Sequence, residues 1–144
     1  MICFSSLVKG FNMAKQVYIS IPVADLARSE RFYKAIGFTK IDEFSHSDGS
    51  VMRFTDDFYI MLLLRDFYHT FIGRRTIPDA QEASLAIIAL FVDSNEEVDD
   101  LVSKAVANGA TLMPKLAIDG TQGMHVIDFA DPDGHILELA HMEM

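Results

Sequence analysis

Apolar and polar residues alternate over residues 17–22, where Val17, Ile19 and Ile21 fall on one face and Tyr18 and Ser20 on the other. That period of two is the pattern of a half-buried strand. Asp25 then stands where a helix N-cap belongs, Leu26, Phe32, Tyr33 and Ile36 fall near one helical face, and Gly37 supplies the stop. Residues 38–44 read as a second strand and residues 46–50 as a turn. Residues 51–54 and 58–64 read as two more strands joined tightly at Asp56-Asp57. The first half therefore predicts β-α-β-β-β.

The same order returns downstream. Residues 84–92 form an apolar strand, and Ser94 with Glu97 makes the S-x-x-E signature of a capping box. Val98, Leu101, Val102 and Ala105 lie at i, i+3, i+4 and i+7, which predicts an amphipathic helix that Asn108-Gly109 ends. Residues 111–114, 124–129 and 136–141 supply three strands. The segments before the helices correspond, 22–25 with 91–94, as do Gly37 and Gly109. Phe54 with its acidic turn corresponds to Phe129 with Asp131-Pro132-Asp133. A half-domain that cannot bury its own sheet implies pairing of two such units. The expected fold is α+β: two tandem βαβββ modules, residues 15–66 and 84–144, whose helices cover one face of each sheet while the other faces curve around a cleft. The connector, residues 66–83, opens with Asp66-Phe67-Tyr68-His69-Thr70-Phe71-Ile72-Gly73, too aromatic for a free linker and suited to a short packed helix. Residues 74–83 are polar and read as mobile.

Composition narrows the partners. The 144 residues are 50% hydrophobic and 23% charged, an ordinary globular balance, and the net charge of −9 repels phosphate backbones, which argues against nucleic acid. The charge itself reads as solubility. Cys3 is the only cysteine, so no internal disulfide and no cysteine-based metal site is available, and a reducing, cytoplasmic setting fits. No apolar run approaches the ~20 residues of a membrane helix. The apolar N-terminus lacks a basic region and is a poor signal peptide. Because Met13 precedes the first strand, residues 1–12 (with the short lead to residue 14) read either as an extension from an upstream start or as an arm docking on a neighbouring subunit.

Residues 23–38, Val-Ala-Asp-Leu-Ala-Arg-Ser-Glu-Arg-Phe-Tyr-Lys-Ala-Ile-Gly-Phe, resemble the opening signature of the vicinal oxygen chelate superfamily, and residues 131–139, Asp-Pro-Asp-Gly-His-Ile-Leu-Glu-Leu, resemble its closing signature. That superfamily includes glyoxalase I, bleomycin-resistance proteins, fosfomycin-resistance enzymes and extradiol dioxygenases. The chain is most similar to small bacterial lactoylglutathione lyase-like proteins within it. The resemblance implies a homodimer and a divalent metal held by one side chain from each of four strands. Carried over position by position, the ligands fall at Tyr18, at Met61 or Leu62, at Ile87, and at Glu138; only Glu138 matches. Tyrosine ligates as a phenolate, whose ordinary pKa of about 10 opposes it. Methionine is a soft donor ill-matched to Ni²⁺ or Mn²⁺ beside a carboxylate. Isoleucine offers nothing. The expected cofactor is therefore none, with Zn²⁺, Ni²⁺ or Mn²⁺ as the alternative.

Among individual residues, Glu138 stands in an apolar strand, where a carboxylate is costly to bury; it reads as a cavity-facing base or acceptor, or else as a solvent-facing or Arg-paired strand residue or an inherited remnant. Glu138 and His141, three apart on a strand, should face opposite ways, while His125 on the preceding strand is the histidine placed to reach Glu138. Of His125 and Asp128, only one parity can face inward, and His125 is preferred for chemistry. Tyr18 and Ser20 can line the cleft or stand exposed. Arg53 can clamp an anion or pair with Glu138, or be a surface strand residue. Tyr68 and His69 sit where a lid would close, among Phe67, Phe71 and Ile72 that read as packing. His135 reads as a turn residue, and Met52, Met61 and Met113 as filler. Two functions follow: a metal-independent small-molecule binder of the bleomycin-resistance kind, and a glyoxalase-like lyase or isomerase using Glu138.

Overall fold

A computed structural model describes residues 15–114 and 123–143. The N-terminal extension, with Cys3 and Met13, lies outside the described residues. The chain divides into two compact units between Ile77 and Pro78, inside the connector.

In the first unit, β1 (Val17–Val23), β2 (Thr39–Lys40), β3 (Gly49–Thr55) and β4 (Phe58–Leu64) form one sheet in the order β1-β4-β3-β2. β1 runs parallel to β4, and the other pairs are antiparallel. Helix α1 (Leu26–Ala35) starts where the Asp25 carboxylate accepts the Arg28 N–H at 3.1 Å. It ends at Gly37, whose φ of +105° a side chain would resist. Phe32, Tyr33 and Ile36 are fully buried, and α1 crosses β3 and β4. Tyr33 meets Phe32 and Phe38 edge to face at 5.1 and 5.3 Å. Buried Ser50 donates to Glu30 of α1, and Lys40 closes on the same carboxylate at 3.1 Å. The Ser50 and Lys40 bonds hold the Glu30 carboxyl below its ordinary pKa against the opposing pull of burial, the largest single effect on it.

The long strand expected over residues 38–44 is only Thr39–Lys40, followed by a 3-10 turn, Asp42–Phe44. Ser45 explains the break: its hydroxyl donates to the Ile41 carbonyl at 2.7 Å and accepts the Val51 N–H at 3.1 Å, so the chain is tied back where a strand would continue. Helix α2 (Arg65–His69) directly follows β4.

In the second unit, β5 (Ile87–Phe91), β6 (Thr111–Leu112), β7 (Met124–Ala130) and β8 (Ile136–Met142) repeat the arrangement, β5-β8-β7-β6, with β5 parallel to β8. β5 is shorter than the pattern over 84–92 suggested, because its ladder with β8 begins only at Ile87 opposite Ile136. β6 is likewise two residues rather than four. Helix α3 (Asn95–Ala107) is capped by Ser94 Oγ, which accepts the Glu97 N–H at 3.0 Å. Glu97 returns its carboxylate to the Asp93 N–H at 3.0 Å, one residue earlier than a standard capping box. Val98, Leu101, Val102 and Ala105 are buried, as their spacing predicts, and α3 lies on β7 and β8 over Leu137, Leu139 and Phe129.

The polar stretch 74–83, expected to be mobile, contains a turn in which Asp79 accepts the Gln81 and Ala83 N–H groups, each at 2.9 Å. This turn lies against Gly134. A Cβ there would stand 2.7 Å from both Ala80 C and Gln81 N. The Asp131 carboxylate fixes the adjoining β7–β8 turn by accepting the N–H groups of Asp133, Gly134 and His135, each at 2.9 Å.

Candidate functional site

Strand β8 lies between β5 and β7, so Glu138 has a direct neighbour on each side: Ala89 on β5 and Asp128 on β7. Strand parity then defines a face. Ile87, Ala89 and Phe91, Ile136, Glu138 and Met142, and Met124, Val126 and Asp128 share it. The opposite face belongs to α3. Ile87, Phe91 and Met142 are 56%, 51% and 43% exposed, so the Glu138 side presents apolar surface with a carboxyl pair in its middle. Small Ala89 leaves room beside Glu138.

Glu138 titrates above the ordinary carboxylate range. Burial is the chief cause, followed by the negative charge of Asp128 and the hydrogen bond to it. The pair places two acceptor groups within an apolar surround, able to hold a hydrogen-bonding or cationic group.

The first unit shows what became of the same positions. Ser20, Met61 and Val51 lie side by side across β1, β4 and β3, as Ala89, Glu138 and Asp128 do across β5, β8 and β7. Met61 is therefore the counterpart of Glu138, and Leu62, of the other parity, belongs to the helix side. Tyr18 and Ile87 are counterparts by the same register. Here the face is closed. Val51, Tyr59, Met61 and Leu63 form a buried cluster, with Tyr18, Ile41, Phe44, Phe67 and Tyr68 packed on it. Tyr18 stacks on Tyr59 at 4.5 Å, and its hydroxyl donates to Gln16 at 3.2 Å. Burial, and secondarily Tyr59, push the Tyr18 phenol further up, so a phenolate is disfavoured.

Other candidates are placed as follows. Ser20 is exposed, 3.9 Å from the Met61 sulfur, to which it donates weakly. Arg53 pairs with Asp56 in the neighbouring turn at 3.9 Å, while the ladder neighbour of Glu138 on β7 is Asp128. Tyr68 packs inward from α2, whereas His69 is exposed at its end. His125 requires correction. It pairs with His141 on the α3 side, and its Nε2 lies 2.7 Å from Asp99 Oδ1 of that helix, so it faces away from Glu138. His141 is on that side too, with Nδ1 2.9 Å from the Val92 carbonyl, as its spacing from Glu138 predicts. The residue that reaches Glu138 is Asp128. Its signal was present in the turn: if Ala130 and Ile136 close the hairpin, counting back places 128 opposite 138.

A divalent metal needs about three protein donors. On the Glu138 face the donors are two carboxylates, with isoleucine at the third position. On the first sheet the corresponding donors are a phenol and a thioether only 4% exposed. Among the described residues no three His, Cys, Asp or Glu side chains are grouped to hold a metal. The donor set does not fit the metal that the sequence resemblance implies.

Comparison with known proteins bears on the whole chain. It overlays a glyoxalase/bleomycin resistance protein/dioxygenase family enzyme from Burkholderia phytofirmans with a TM-score of 0.73 at 22% identity, over 90% of this chain and 100% of that one. A glyoxalase-related enzyme from Fulvimarina pelagi gives 0.71 at 26% identity, over 89% and 88%. The fosfomycin resistance protein FosX of Listeria monocytogenes, in complex with Mn(II) and sulfate, gives 0.67 at 21%, over 92% and 94%. No curated protein matches. The Glyoxalase family model, described as Glyoxalase/Bleomycin resistance protein/Dioxygenase superfamily, matches residues 15–139. With the match reaching from β1 into β8, and so across both βαβββ units, the chain belongs to the glyoxalase/bleomycin resistance protein/dioxygenase superfamily.

Proposed function

We propose that this protein binds a small molecule on the Glu138 face of the second sheet. The Asp128–Glu138 pair holds a hydrogen-bond donor or protonated amine, and Ile87, Phe91 and Val126 take the apolar body. The observation that carries this reading is a pair of carboxyl groups, Asp128 directly across the ladder from Glu138, set in exposed apolar surface. Apolar area supplies affinity, and the few polar groups fix orientation. Homodimerisation and a cytoplasmic location belong to the same reading; no described helix is long and apolar enough to cross a membrane.

The test is a thermal-shift screen of amphiphilic amines and neutral hydrogen-bonding analogues. A true ligand at about 100-fold its Kd stabilises by about 2.7 kcal/mol, a shift of several degrees. The shift should vanish in the Asp128→Asn, Glu138→Gln double variant. A shift unchanged in that variant, or none from any compound, rejects the reading.

The raised pKa of Glu138 favours a second reading, in which it takes a proton from carbon beside a carbonyl. Turnover of the methylglyoxal–glutathione hemithioacetal, lost in Glu138→Gln, is the outcome this reading requires.

A further inference from the structure

The two sheets have kept different things at equivalent positions. In the second, the central pair across β7 and β8 is Asp128 and Glu138; in the first, the equivalent pair across β3 and β4 is Val51 and Met61. Val51 is fully buried and Met61 is 4% exposed, beneath a layer that includes the Tyr18–Tyr59 stack and Phe67 and Tyr68 from α2. A side chain so placed is in the core, closed to an incoming ion.

We infer that the first sheet's share of the superfamily metal site has been converted into hydrophobic core, and that the Glu138 face, with two carboxylates and Ile87, works without a bound divalent metal. The chemistry decides this at each position. A buried thioether is a poor partner for hard or borderline ions. The Tyr18 phenol is stacked on Tyr59 within the closed layer. The Glu138 face offers two carboxylates and, at Ile87, no third donor, short of the about three protein ligands a divalent site needs. The aromatic layer is what allowed the exchange: once Phe67 and Tyr68 cover the first sheet, an ionised ligand at position 61 would be a buried, unpaired charge.

The inference is tested without any organic ligand, so it stands or falls separately from the proposed binding function. Zn²⁺ and Mn²⁺ are each titrated calorimetrically into the full chain, its Asp128→Asn, Glu138→Gln double variant, and Ile87→His. Ile87 is exposed, so histidine fits there, and it adds an imidazole to the face that carries both carboxylates. The expected result is no saturable site in the wild type and a one-to-one Zn²⁺ site in Ile87→His. The gain should exceed the roughly 10–100-fold that an outer-shell partner is worth. Equal weak binding by the wild type and the double variant places the metal elsewhere and supports the inference. A saturable wild-type site that disappears in the double variant overturns it. Failure of Ile87→His to gain affinity overturns the account based on missing donors.

Discussion

Asp128 stands directly across the β7–β8 ladder from Glu138, so two carboxyl groups are neighbours on one face of the sheet. Burial, and then the repulsion of like charges at such a position, raise the Glu138 pKa. The sign of the pH effect follows. Glu138 has a folded pKa above its reference of 4.5, so its protonated form is favoured by folding. Its contribution to stability is fully present below that reference and is lost as pH rises through the folded pKa. Glu138→Gln should therefore flatten the decline in stability above pH 4.5 and leave the protein more stable than wild type at neutral pH. Asp128→Asn should move the Glu138 titration down. Urea unfolding across pH, with carbon NMR of the Glu138 carboxyl, measures both. A Glu138 carboxyl that titrates at or below 4.5 refutes the upward shift.

Met61 and Ile87 both fall where the sequence resemblance implies metal ligands, yet substitution should separate them. Met61→Ala opens a cavity in a closed cluster and should cost about 2–5 kcal/mol. Ile87→Ser removes a side chain already 56% exposed and should change stability by less than about 0.5 kcal/mol. The order should reverse for ligand binding, which Ile87→Ser weakens. Denaturant midpoints and ligand-induced shifts on both variants check it; equal stability losses contradict the division between core and site.

The cap of α3 gives a third measurement. Ser94 Oγ satisfies an otherwise unpaired N–H of the first turn, and Ser94→Ala should cost about 1 kcal/mol. Ser94→Asp should restore most of it, since a carboxylate also suits the positive end of the helix. Thermal unfolding of the two variants provides the comparison, and equal melting temperatures would remove the cap from the account.

Most of this fold was legible because its signals were local. The Asp25 cap, Gly37, the Ser94–Glu97 pair and the Val98-Leu101-Val102-Ala105 stripe each act within a few residues, so each element followed from its own segment. The errors lie where a segment's fate depends on a distant partner. Nothing in residues 41–45 announces that Ser45 will bond Ile41 and Val51 together, and nothing in residues 84–86 shows that β8 begins only at Ile136. Met61 and Leu62 are both apolar, and only the pairing of β4 with β1 tells which is the counterpart of Glu138. The preference for His125 over Asp128 rested on the versatility of imidazole, whereas register decides which side chain reaches Glu138. The aromatic cover of the first sheet is half visible in the sequence: Phe67 reads as packing and Tyr68 as a lid residue, but the face they protect emerges only from the fold.

Gly134 should be the least tolerant of the described glycines of the second unit. Its φ of +105° is uncomfortable for any side chain, and it is buried against the 79–83 turn, where a Cβ would press on the backbone at Ala80 and Gln81 at 2.7 Å. Backbone cannot step aside as a flexible side chain can, so Gly134→Ala must either strain the Asp131 turn or push the connector away. The cost should be about 2 kcal/mol or more. Gly37 separates the two causes: it has the same φ of +105°, but no heavy atom lies within 4 Å of its Cβ position, so Gly37→Ala reports conformational strain alone. The excess loss in Gly134→Ala over Gly37→Ala then measures the docking of the connector. It should be accompanied by faster amide exchange at Gln81 and Ala83, whose N–H groups bond to Asp79. Equal losses in the two variants, with unchanged exchange at Gln81 and Ala83, would show that the contact with Ala80 and Gln81 contributes nothing to holding the connector on the second unit.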